Sequence, residues 1–242
     1  MKRNAGSVLL PVLMLVLGLA AFALRTGLYA VAVDVKGLLL RGHPLEIALT
    51  ALTAAAILLV ALAAWKQEKS GTAATGLGNL VAAVGNVAAG AGILVTVLTG
   101  EYIQSGYLSL AWQYLGLIAP VCLLVAGLTR ALGKRPFFLL YVAACLFFLV
   151  HIVTRYQLWS ANPQMQDYVF ALLGAMALMF FGFYEASQEA GCGNSRMKLG
   201  MGLAAVYLCL AELARSSCPA LYLGGILWVL TELVTAKKKV EN

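Results

Sequence analysis

Charge is scarce in these 242 residues: Asp, Glu, Lys and Arg make up 11%, while 62% are hydrophobic and the mean hydropathy is +0.89. An ordinary soluble domain carries about 25% charge, so lipid must be the solvent for most of this chain. Histidine is nearly missing; His43 and His151 alone cannot build a multi-histidine metal site. The cysteines, Cys122, Cys145, Cys192, Cys209 and Cys218, are odd in number and contain no CxxC pair. They read as small hydrophobes rather than a disulfide framework. Also absent are HExxH, GxSxG, a GxxxxGK[ST] phosphate loop and aspartate pairs at a prenyl-phosphate spacing, so no metal, cofactor or catalytic residue is expected. The net charge of +7 does not imply nucleic acid, because Lys and Arg do not gather into a basic domain interleaved with aromatics.

What is present is a series of apolar runs, each long enough to cross roughly 30 Å of hydrocarbon at about 17–25 residues per crossing. The pattern predicts an all-α polytopic membrane bundle, one integral membrane domain over 1–242, with eight helices near 7–25, 45–65, 78–99, 107–130, 136–154, 167–188, 198–214 and 219–236. Helices are required because open sheet edges would leave backbone amides unpaired in lipid. Sorting Lys and Arg by alternate sides puts twelve on one side (Lys2, Arg3, Lys66, Lys69, Arg130, Lys134, Arg135, Arg196, Lys198, Lys237, Lys238, Lys239) and five on the other (Arg25, Lys36, Arg41, Arg155, Arg215). The richer side is expected in the cytoplasm with both termini, in an inner or plasma membrane. The first run also fits a secretory signal peptide, with Ala21-Phe22-Ala23 as the cleavage-like triplet. An uncleaved first helix performs the same targeting, and every later helix keeps its orientation either way.

Polar residues within such runs are expensive, roughly 2.5–3.5 kcal/mol for a charge at mid-membrane, so their positions are informative. The third run places Asn79 and Asn86 seven residues apart, within about 20° of one face, beside Gly85 and Gly90. This predicts a central helix, with these residues as packing and hydrogen-bonding glue and Asn86 as a candidate lining of a solute cavity. Gly200 opens a similar small-residue pattern in the seventh run, whose outer end carries Glu212 and Arg215, spaced to pair with each other. Glu185, Glu189 and Glu232 are expected to reach the inner headgroups and meet Lys198 or the terminal lysines. On the opposite side, residues 24–46 carry Arg25, Asp34, Lys36, Arg41, His43 and Glu46. They read as an extension of the first helix folded over the outer mouth, facing Glu101, Arg155, Asp167, Glu212 and Arg215 in one polar cluster.

Arg25, Asp34, Asn86, Arg155 and Glu212 are therefore the candidate substrate-binding residues, with a guanidinium to grip a carboxylate or phosphate. The functional expectation is a small-solute transporter or a membrane component of one. The alternative is a non-catalytic membrane partner or assembly subunit of a larger complex, or a homo-oligomer. A third class, chemistry on a lipid-linked substrate, would need a base beside a nucleophile, and only His43 near Glu46, or Glu212, is at hand. Arg25 with Asp34, and Arg155 with Asp167, suggest a weak four-plus-four repeat.

Overall fold

The apolar runs fold as eight α-helices: α1 (Ala5–Val31), α2 (Pro44–Lys66), α3 (Leu77–Leu98), α4 (Tyr107–Ala131), α5 (Leu139–Trp159), α6 (Val169–Glu189), α7 (Ser195–Glu212) and α8 (Pro219–Thr235). The computed structural model describes residues 5–32, 42–66, 77–99, 107–160 and 168–235; Asp34, Lys36, Arg41, Glu101, Asp167 and the terminal lysines lie outside them. No strand occurs among the described residues. Helices α1 to α7 are long and apolar enough to cross a lipid bilayer, and α8 is a shorter apolar helix of 17 residues, about 25 Å at 1.5 Å per residue. Large apolar side chains such as Val16, Ile57, Leu62, Val84, Val121 and Leu128 are exposed. A surface of that kind suits acyl chains rather than water. The protein is a multi-pass membrane protein with a helical-bundle fold.

Two helices outrun their apolar runs for one reason. Stopping the first near Arg25 and the fifth before Arg155 treats an arginine as the end of an apolar segment. The structure continues α1 to Val31 and α5 to Trp159 because each guanidinium finds a partner inside the bundle, Glu212 for Arg25 and Cys218 for Arg155. α4 runs as one helix across Pro120.

Consecutive helices pack on their neighbours from α3 through α8, and α8 closes the sequence against α3. The α1–α2 pair leans on this body through α7. Neighbours do not recur after four helices: α3 lies along α8 and α1 along α7, whereas the α7–α4 and α5–α3 packing that a four-plus-four repeat requires is not found among the described residues. The resemblance between the halves stays in their charge pattern and does not extend to packing.

The α3–α8 contact is made by small residues. A Cβ on Gly224 would stand 2.6 Å from the Ala88 carbonyl oxygen, and one on Gly85 or Gly92 would collide with Thr231 or with the Ala220 carbonyl. Gly90 lies against α4, where a Cβ would sit 3.2 Å from the Pro120 carbonyl oxygen. Backbones this close give α3 its central position and make dispersion contacts tighter than lipid could supply. On α7, Gly200 faces Ala64 of α2, at 3.3 Å from a built Cβ.

α4 and α6 end in the same turn. Gly133 (φ 73°) and Gly191 (φ 84°) follow them, with Lys134 N–H donating to Thr129 O and Cys192 N–H donating to Ser187 O, both 3.0 Å. This is the Schellman arrangement, which needs a left-handed residue at its corner. It fixes the last turns carrying Arg130 and Glu185–Glu189. A Cβ on Gly191 would meet nothing within 4 Å, so Gly191→Ala is expected to cost only the backbone term, about 1–2 kcal/mol. Reversible unfolding in mixed micelles measures it.

Candidate functional site

Buried ionisable groups collect at the two ends of the bundle, and α7 contributes to both. At the first end, Arg25 of α1 is 3% exposed. Its Nη1 donates to Glu212 Oε2 at 2.5 Å and to the Ala211 carbonyl at 3.0 Å. The guanidinium carbon lies 5.0 Å from the Phe170 ring centroid and 5.7 Å from that of Tyr29, within cation–π range. Glu212 therefore pairs with α1, not with Arg215 as their spacing suggested. α7 stops at Glu212, the 3₁₀ turn Leu213–Arg215 follows, and Arg215 swings 4.5 Å over Tyr29. Arg155 joins the same end, donating to Cys218 Sγ at 2.8 Å and lying 5.6 Å from the Trp159 ring. Three arginines and one glutamate thus gather here. Asp34 lies outside the described residues.

The opposite end holds a set whose members the sequence places at separate helix ends. Arg130 of α4 bonds Glu185 of α6 at 3.2 Å, Glu189 of α6 at 2.9 Å and Glu232 of α8. Lys198 of α7 sits 2.5 Å from Glu185 Oε1, held by charge rather than a well-directed hydrogen bond, and donates to Gln188 Oε1 at 3.0 Å. None of the five charged side chains is more than 15% exposed, and Glu185 is fully buried. Glu185 meets Lys198 as expected, but the expectation that these glutamates extend to the headgroups is corrected: they turn inward because Arg130 offers a shared donor. Position carried a usable signal, since Arg130, Glu185, Glu189, Lys198 and Glu232 all fall within a turn or two of helix ends on one side.

A polar layer lies next to this cluster, toward the middle of the bundle. Tyr141 of α5 is 5.6 Å from the Arg130 guanidinium and stacks on Trp228 of α8, with centroids 6.2 Å apart and planes at 4°. Its hydroxyl receives a long 3.5 Å hydrogen bond from Asn86 Nδ2, which also donates to the Ala82 carbonyl at 3.2 Å. Asn86 and Trp228 are fully buried, yet Asn86 Oδ1 and Trp228 Nε1 lack a hydrogen-bond partner. Asn86 thus belongs to the second end and is not brought together with Arg25, Arg155 or Glu212. Asn79, half-buried at the start of α3, does not enter this layer.

His43 Nδ1 accepts the Leu45 amide at 3.3 Å and Glu46 Oε2 accepts the Gly42 amide at 2.7 Å. Both side chains therefore cap the start of α2. Buried His151 accepts from Trp112 Nε1 through Nδ1 at 3.1 Å. An open apolar groove of about 650 Å³ runs alongside the α1–α2 contact, lined by Ala20, Ala23, Gly27, Leu45, Ala48 and Leu52 among others. Comparison with protein-family models, curated proteins and solved structures finds no match to this chain.

Proposed function

We propose that the whole chain is one membrane domain acting as a carrier of a small anionic solute, or as the membrane component of one. The observation that carries this reading is that two buried ion-pair clusters, one at each end of the bundle, share α7: Glu212 grips Arg25 at one end and Lys198 grips Glu185 at the other. A carrier needs each end closed in a way that can be undone. Ion pairs serve because a solute or water can replace either partner, whereas packed apolar side chains offer no such exchange. A carboxylate or phosphate entering at the arginine-rich end would compete with Glu212 for the Arg25 fork. Binding would then release the α1–α2 pair from α7. The twelve-to-five distribution of Lys and Arg supports placing both termini, and the Arg130 cluster, on the cytoplasmic side of an inner or plasma membrane.

Thermal melting of the purified full chain with a panel of small carboxylates and phosphates tests this. A bound solute at a hundred times its Kd stabilises by about 2.7 kcal/mol. Arg25→Lys, which keeps the charge but loses the bidentate fork, should abolish the shift. The α1–α2 groove favours a second reading, a membrane partner or assembly subunit of a larger complex or homo-oligomer, in which a transmembrane helix covers Ala20, Ala23 and Gly27. On that reading no small anion raises the melting temperature.

A further inference from the structure

We propose that the Arg130 cluster binds a proton, with Glu232 as the group that takes it up and releases it. Coupling of that proton to solute movement rests on the carrier reading; the binding itself does not. α4 supplies Arg130, α6 supplies Glu185 and Glu189, α7 supplies Lys198 and α8 supplies Glu232, while Tyr141 of α5 and Asn86 of α3 face them as neutral groups. Among the described residues, three carboxylates thus meet two cations. A buried charge without its own counter-ion carries a penalty of several kcal/mol, and a carboxylate escapes it by binding a proton.

Geometry selects the residue. Glu185 has a cation for each oxygen, Lys198 at Oε1 and Arg130 at Oε2. Glu189 is the most exposed of the three, at 15%. Arg130 gives Nη1 to Glu232 and Nη2 to Glu185 and Glu189, so Glu232 and Glu189 each have one cation, and Glu232, with a side chain 5% exposed, is the more buried of those two. The surplus charge falls there.

The adjoining layer supplies an independent observation. Trp228, one helical turn before Glu232 on the same face of α8, leaves a buried N–H donor unpaired, and Asn86 leaves a buried acceptor unpaired. The two residues share a layer: Gly85 packs on the Trp228 backbone, and Tyr141 stacks on the Trp228 ring while its hydroxyl meets the Asn86 amide. A water molecule accepts from an indole N–H and donates to a carboxamide oxygen, so it suits both unpaired atoms. The unpaired Trp228 donor lies one helical turn deeper in the bundle than Glu232. Uptake forms an O–H bond at a Glu232 carboxylate oxygen and leaves Arg130 to Glu185 and Glu189. Release returns the proton to water and restores the Arg130–Glu232 ion pair. The α4–α8 clamp therefore weakens when the proton is bound.

Infrared difference spectroscopy of the full chain in lipid bilayers, recorded across a pH titration, tests the assignment. At neutral pH the wild-type protein should show the carbonyl stretch of a protonated carboxylic acid, which disappears as pH rises. Glu232→Gln should remove the band; Glu189→Gln, which leaves two carboxylates to two cations, should make it disappear at a lower pH than in wild type; and Glu232→Asp, which keeps a carboxyl, should move it. No band in folded wild-type protein, a band that survives Glu232→Gln, or one that Glu232→Asp leaves unmoved overturns the proposal. A band in protein whose melting responds to no small anion supports the proton site and counts against the carrier reading alone.

Discussion

Replacing Arg130 with leucine should destabilise the protein by about 3–5 kcal/mol, the range for removing one partner of a buried ion pair. Arg130 reaches Glu185, Glu189 and Glu232 together, so its loss leaves three carboxylates to Lys198. Arg130→Lys should be intermediate: a single ammonium cannot reproduce a guanidinium that uses Nη1 for Glu232 and Nη2 for Glu185 and Glu189. Acid protonates the stranded carboxylates and removes their repulsion, so the gap between wild type and Arg130→Leu should narrow as pH falls. Unfolding free energies in mixed micelles at several pH values measure it, and a constant gap would place the cost in packing rather than charge.

Arg25→Leu should lose a similar amount, about 3–5 kcal/mol, since Glu212 would remain buried between α7 and α1 without its counter-ion. Arg25→Met with Glu212→Met removes both charges and should recover most of that loss, because apolar replacement of an entire buried pair is often neutral or stabilising. The double-mutant cycle separates two roles. If the pair exists to hold the α1–α2 hairpin, the double variant is stable and retains any anion-induced melting shift. If Arg25 is the solute's anchor, the double variant is stable but no longer responds. Additive single-variant costs would show that the pair is not coupled.

The helices were legible because a bilayer imposes both a length and an apolar composition on each crossing. Runs such as 78–99 and 167–188 match α3 and α6 to within two residues. Where an arginine lay inside a crossing, as in α1 and α5, the same rule ended the helix too early, because composition alone does not show that a charge has a partner. The site was legible only in pieces. Arg25 and Glu212 stood out as charges near helix ends, but local spacing paired Glu212 with Arg215. Arg130 entered only as a topology signal, since its partner Glu232 is 102 residues away.

Composition against lipid was enough to determine the solvent, the number of helices and the confinement of charge toward helix ends, because each is a local property of a segment and its surroundings. Which charges meet depends on which helices are neighbours. That adjacency comes from backbone approach at Gly85, Gly92 and Gly224, which seats α3 on α8, and from the α1–α2 pair resting on α7. Only the assembled bundle could therefore join Arg25 to Glu212, gather three glutamates around Arg130 and leave Asn86 and Trp228 with polar atoms unpaired.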